Sequence, residues 1–150
     1  MSDMDPRSCY DDLAEGEWER LDATPVSRME FANTTAYLAR YLPDPSHVRS
    51  DTSASTADRP DGRSGAPARV LDAGGGPGRY AVWLAERGYE VVHCDLSIEQ
   101  VRIARERTAE RDLGGQVRSQ QADIRALPFE TDAFDAVCSL GDPLTRPRPG

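Results

Sequence analysis

Val70-Leu71-Asp72-Ala73-Gly74-Gly75-Gly76-Pro77-Gly78 is the stretch that decides the fold. An apolar, strand-like run carries a carboxylate at Asp72, and four glycines then fall within five positions. A helix-compatible run from Arg79 to Arg87 follows at once. Strand, tight glycine turn and helix start in this order are how an α/β sheet holds a nucleotide-like ligand. Glycine lets the backbone approach a ligand where a Cβ would collide, and it accepts positive φ. The helix start offers unpaired N–H groups to a carboxylate or phosphate.

Gly88 is placed to stop the helix, in the position where left-handed glycine ends helices. Glu90-Val91-Val92-His93-Cys94-Asp95 then reads as a short buried strand ending in an acid, 17 residues past Gly78. An acid at that tip can accept both hydroxyls of a ribose. Ser97 with Gln100 is a capping-box start, and the helix it opens is predicted to reach Leu113, before Gly114-Gly115. Gln116 to Gln121 is a weakly apolar third strand, expected at a sheet edge, and Asp132 to Leu140 holds the fourth. Strands separated by helices argue for a parallel, doubly wound sheet. Its ligand would lie across the carboxyl ends of the strands, at the switch point between the first and the fourth.

The glycine spacing is G-x-G-x-G with an acid two residues ahead, and not the G-x-G-x-x-G of dinucleotide-binding folds. This D-x-G-x-G-x-G pattern resembles motif I of the class I S-adenosylmethionine-dependent methyltransferases. Asp123-Ile124 after the third strand, then Leu127-Pro128-Phe129, then Phe134-Asp135-Ala136-Val137, resemble the same family in the same order. The resemblance spans about residues 69–144. It implies an α/β, Rossmann-like sheet that binds S-adenosyl-L-methionine. It also implies roles: Asp72, Gly74, Gly76 and Gly78 around the methionine part, and Asp95 at the ribose. Asp123 would take the adenine amino group, with Ile124 and Leu96 against the two faces of the ring. Ser139, Leu140 and Gly141 would face the switch point. Arg79 either approaches the cofactor carboxylate or faces solvent.

Residues 1–43 are expected to form helices ahead of the sheet. One runs from Tyr10 to Leu21 and carries Leu13, Trp18 and Leu21. Ser27-Arg28-Met29-Glu30 reads as a capping box opening the second, which sets Phe31, Leu38 and Leu42 on one face before Pro43. Helices in this place resemble cofactor lids of small-molecule methyltransferases, which would let Tyr10 close over the methionine end. Packing of Tyr10 and Trp18 on the domain is the equal alternative. Residues 44–68 are rich in Ser, Thr, Asp, Pro and Gly, and they read as a flexible linker.

The 150 residues suit one domain and carry a formal charge of −8. Such acidity disfavours nucleic acid and anionic membranes as partners. All 18 basic residues are Arg, and with the acidic excess this suggests adaptation to high salt. There is no apolar run of membrane-spanning length and no leader pattern, so a cytoplasmic protein is expected. The three cysteines are scattered, with Cys94 and Cys138 inside predicted strands, and no Cys/His spacing suggests a metal site.

Methyl transfer draws its reactivity from the cofactor, and the protein supplies orientation and electrostatics. No residue qualifies from the sequence as a general base. A seven-stranded sheet is usual in the family the chain resembles, whereas four strands are legible here. Residues 145–150, with Pro147 and Pro149, read as a disordered tail. The expected activity is therefore methyl transfer to a small-molecule acceptor, with a homodimer or a complementing chain supplying the remainder. The alternative is a truncated, non-catalytic cofactor-binding fragment that needs a partner chain. A nicotinamide-dependent oxidoreductase fits the glycine spacing less well.

Overall fold

Short strands, each carrying at least one valine and separated by glycine turns and helices, build the sheet seen in the computed structural model, which describes residues 16–45 and 67–140. Its elements follow the chain as α1 (residues 16–23 described), α2 (Pro25–Tyr41), β1 (Arg69–Ala73), α3 (Arg79–Glu86), β2 (Glu90–Asp95), α4 (Ile98–Glu110), β3 (Val117–Gln121) and β4 (Ala136–Cys138). The strands lie in the order β3-β2-β1-β4, all parallel, so β3 is an edge as its weak hydropathy implied. Strand order reverses direction between β1 and β4, which is where such sheets place a ligand.

Register divides the sheet cleanly into two faces, because side chains alternate along a strand. Val70, Val91, Val117 and Cys138 point to one face, where Leu38 of α2 and Ala81, Leu84 and Ala85 of α3 cover them. Each fully buried valine or leucine here contributes about 1.5–3 kcal/mol, and each alanine less. The opposite face carries Leu71, Ala73, Val92 and Cys94. Ala122, Leu127, Phe129 and Phe134 from the β3–β4 connection cover it, with the two phenylalanine rings edge to face at 5.1 Å. Val137, on the same face of β4, is 63% exposed.

Local signals explain most boundaries. α3 ends in a Schellman arrangement, with Gly88 at φ 99°, Gly88 N–H donating to Ala85 and Tyr89 N–H donating to Leu84. Ser97 caps α4 by accepting from Gln100 N at 3.3 Å. Asp135 of the Phe-Asp pair joins β4 to β1: its carboxylate accepts from Arg69 N at 2.8 Å and its own N–H donates to Arg69 O at 2.8 Å.

Several boundaries differ from expectation, among them those of α2, α4 and β4. α2 begins at Pro25, not near Ser27, because Thr24 is the better-placed cap. Thr24 Oγ1 accepts from Ser27 N at 3.0 Å, and proline at the first helical position loses no hydrogen bond. α4 stops at Glu110 rather than Leu113, since Asp112 turns to φ 56° and Leu113 N–H donates back to Thr108. β4 is only Ala136–Cys138, not Asp132–Leu140, because Ala133 N–H closes a turn on Glu130 and pairing with β1 starts at Val70.

The N-terminal helices are packed on this body. Trp18 is 6% exposed, with the guanidinium groups of Arg79, Arg107 and Arg111 at 5.2, 5.3 and 5.0 Å from its ring centroid. Phe31 of α2 lies 5.0 Å from the ring of Tyr80. Packing is thus the observed role of Trp18. Tyr10 and most of the 44–68 linker lie outside the described residues, as do residues 141–150.

Candidate cofactor site

Parallel strands bring their carboxyl ends to one edge, so Asp72, the glycine turn, Asp95, Leu96, Asp123, Ile124 and Leu140 collect there from four separate segments. The turn is the centre of it. Gly74, Gly76 and Gly78 have φ of 66°, 57° and 86°, a region that costs other residues roughly 1–2 kcal/mol. A Cβ on Gly74 or Gly76 would meet nothing within 4 Å, so both present bare backbone to open space. A Cβ on Gly75 would fall 2.4 Å from Asp72 Oδ2 and 2.5 Å from His93 Cδ2, so that glycine is required by what lies beneath it. Gly78 caps α3 without a side chain, and its missing Cβ leaves room for Ala104 of α4.

Asp72 is fully buried below this turn. Neither carboxylate oxygen has a hydrogen-bond partner among the described residues. Its pKa is pushed up to about 6, chiefly by burial; the neighbouring His93 draws it down and Asp95 adds to the rise. A buried carboxylate without a partner is costly, and it suits a cationic group reaching it from the ligand side.

Asp95 stands at the tip of β2. Its Oδ2 accepts from Gly76 N at 2.9 Å and its Oδ1 from Ser97 N at 3.0 Å. The carboxylate therefore joins the glycine turn to the start of α4. Leu96 follows, half-buried, and its carbonyl accepts from Gln121 Nε2 at 2.8 Å. Ala122 N–H donates to Asp95 O, which holds the exit of β3 against the exit of β2.

Asp123 folds its own loop: Oδ1 accepts from Arg125 N at 2.9 Å, and the Arg125 guanidinium lies 2.6 Å from Oδ2. The Arg125 side chain is 83% exposed, so a competing ligand group displaces it at little cost. Ile124 is 38% exposed, an aliphatic surface at the sheet edge available to a flat apolar partner. Leu140 instead packs against the core on the helix-covered face. Arg79 turns to α1, where its guanidinium pairs with the Asp22 carboxylate and donates to Trp18 O at 3.4 Å.

His93 is the residue at this site that the sequence reading passed over. It is completely buried, is the register partner of Asp72, and its Nε2 lies 2.8 Å from Gly76 O. A histidine set inside Val91-Val92-His93-Cys94 was the available signal, since an imidazole in a fully buried strand needs a partner. Among the described residues there is no cluster of three or more His, Cys, Asp or Glu side chains fit to hold a metal. No helix among them is long and apolar enough to cross a membrane.

A family model described as "Methyltransferase domain" matches residues 70–148. Demethylmenaquinone methyltransferase of Thermus thermophilus is 46% identical over 74 residues, covering 48% of this chain and 33% of that protein. Methyltransferase GfsG of Streptomyces halstedii is 30% identical over 132 residues, covering 83% of this chain and 46% of that protein. The crystal structure of a putative S-adenosyl-L-methionine-dependent methyltransferase from Methanococcus maripaludis aligns with a TM-score of 0.47 at 26% identity, covering 48% of this chain and 33% of that chain. The chain thus spans from a third to a half of the length of these curated relatives. Matching a family model over more than half of its length, from the glycine strand onward, the chain belongs to the methyltransferase domain family.

Proposed function

We propose that this chain binds S-adenosyl-L-methionine and takes part in methyl transfer to a small-molecule acceptor. The observation that carries the reading is the pair formed by the bare, left-handed glycine turn and the buried Asp72 carboxylate, whose two oxygens have no hydrogen-bond partner among the described residues. These residues fit the cofactor: Asp72 would take its ammonium, and the turn would leave room for its methionine part. Asp95 would hold the ribose, and Asp123 with Ile124 and Leu96 the adenine. When bound, S-adenosyl-L-methionine supplies a sulfonium-activated methyl group. The protein would fix the direction of attack by holding the reactants in place, and such orientation lowers the barrier of an in-line displacement.

The relatives' names support a small-molecule acceptor, since one acts on demethylmenaquinone and another is a malonyl-[acyl-carrier protein] O-methyltransferase. Buried free thiols at Cys94 and Cys138 support a reducing cytoplasm as the setting. The exposed Val137 supports a second copy or a complementing chain covering the β4 side of the switch point.

Calorimetric titration with S-adenosylhomocysteine at low and high salt tests the reading, with Asp95→Ala as control. Saturable binding lost in the variant supports it. A folded chain that takes up no ligand at either salt concentration overturns it.

A further inference from the structure

Three consecutive residues of β2 grip the glycine turn, each in a different way. Cys94 O accepts from Gly75 N at 3.0 Å. Asp95 Oδ2 accepts from Gly76 N at 2.9 Å. His93 Nε2 meets Gly76 O at 2.8 Å. A carbonyl only accepts, so Nε2 carries a proton and donates. Gly76 is thereby held at both its amide and its carbonyl, from the same strand, while its φ of 57° keeps the turn open. The bare Gly75 lies over the same imidazole: a Cβ there would come within 2.5 Å of His93 Cδ2.

The geometry points to His93 as a positioning residue of the cofactor site, which fixes the Gly76 peptide from beneath so that the turn meets the ligand already ordered. A glycine turn has the most conformational freedom to lose on binding. A donor locked under its carbonyl removes part of that loss before the ligand arrives. The imidazole is buried beneath the backbone it holds, so it acts through Gly76 rather than on the ligand. The inference rests on the cofactor reading for its binding readout only.

The test compares the wild-type chain with His93→Gln and His93→Phe. The Gln side chain sets an amide nitrogen near the place of Nε2 and keeps the donor; Phe fills the space without one. The readouts are S-adenosylhomocysteine affinity by calorimetry, unfolding temperature, and amide exchange at Gly75 and Gly76 in the ligand-free protein. The expected result is affinity within about threefold of wild type for His93→Gln and a loss of about tenfold for His93→Phe, the size of one lost hydrogen bond. Faster exchange at both glycines should accompany the Phe variant alone, even where the two variants unfold at similar temperatures. Wild-type affinity in the Phe variant, or an equal loss in both, overturns the assignment. If the wild type binds no S-adenosylhomocysteine, the cofactor reading fails and the exchange measurement decides alone. Unchanged exchange at Gly75 and Gly76 in the Phe variant then removes the positioning role.

Discussion

The amide of Gly76 donates to Oδ2 of Asp95 at 2.9 Å, across 19 residues of sequence. The acid at the tip of the second strand thus organises the glycine turn of the first. Its other oxygen, on Ser97 N, sets the entry to α4. Asp95→Ala is expected to weaken S-adenosylhomocysteine binding by about ten- to a hundredfold, the range for hydrogen bonds to a charged group. Asp95→Asn should lose less, because one acceptor oxygen remains. Calorimetric titration of the two variants checks the order.

Substitutions along the turn separate stability from binding. Gly76→Ala meets only its left-handed backbone, at a cost of about 1–2 kcal/mol, yet it sets a methyl group in the open space assigned to the ligand. Its unfolding midpoint should fall modestly while its affinity falls sharply. Gly78→Ala adds a contact 2.9 Å from Ala104 Cβ and should lose more stability. Gly75→Ala collides with the fully buried Asp72 and His93 and should be the least stable of the three in urea titrations.

Asp72 gives the protein a defined pH response. Its pKa is about 6 in the folded chain, against an ordinary 3.8. A folded pKa above the unfolded one means that the folded state binds the proton more tightly. The contribution is complete below pH 4 and is lost as pH rises through about 6. The shift of about two units corresponds to about 3 kcal/mol across that window. Asp72→Asn removes this dependence, so its stability relative to wild type should climb between pH 4 and 7. Paired urea unfolding curves at pH 4.5, 6 and 7.5 measure it. The same variant should bind S-adenosylhomocysteine more weakly, having lost the carboxylate proposed to take the ammonium.

Trp18 and Leu21 are the buried apolar side chains of the described part of α1. Trp18→Ala should release the helix and cost about 3–5 kcal/mol of local stability, as for other buried aromatics. Arg79→Ala removes one of the three guanidinium groups around Trp18 and the pair with Asp22, and should cost less. Limited proteolysis between residues 16 and 24, followed over time, distinguishes the two from wild type.

Cys94 and Cys138 should resist alkylation. Both are buried, and burial pushes the Cys138 thiol up to about 11, with the negative charge of Asp72 adding to the rise. Almost no thiolate exists at pH 7.5, and the thiolate is the reactive form. With Cys9→Ser as background, iodoacetamide labelling should require denaturant.

Much of this was legible in the order of residues. The glycines after Asp72 required a turn with left-handed backbone, and Gly74, Gly76 and Gly78 adopt it. Ser97 capped its helix and Gly88 ended the one before, because both signals act within a few residues. Competing local signals were harder. Thr24 outbid Ser27 as a cap because Pro25 made the earlier start free of cost in hydrogen bonds. The ends of β4 depended on pairing with β1, which no local pattern contains.

At the site, the sequence by itself determined which residue types stand at the carboxyl edge: Asp72, the glycines, Asp95, and the Asp123-Ile124 pair. A short motif carries its chemistry wherever the chain takes it. Only the tertiary structure decided how those groups are engaged. It placed Arg125 on the carboxylate of Asp123, turned Arg79 to Trp18 and Asp22, and packed Leu140 against the core. It also slid β2 against β1 so that His93 faces Asp72 beneath Gly76. Register and burial fix those contacts, and both arise from how strands pair across the sheet rather than from the residues beside each one.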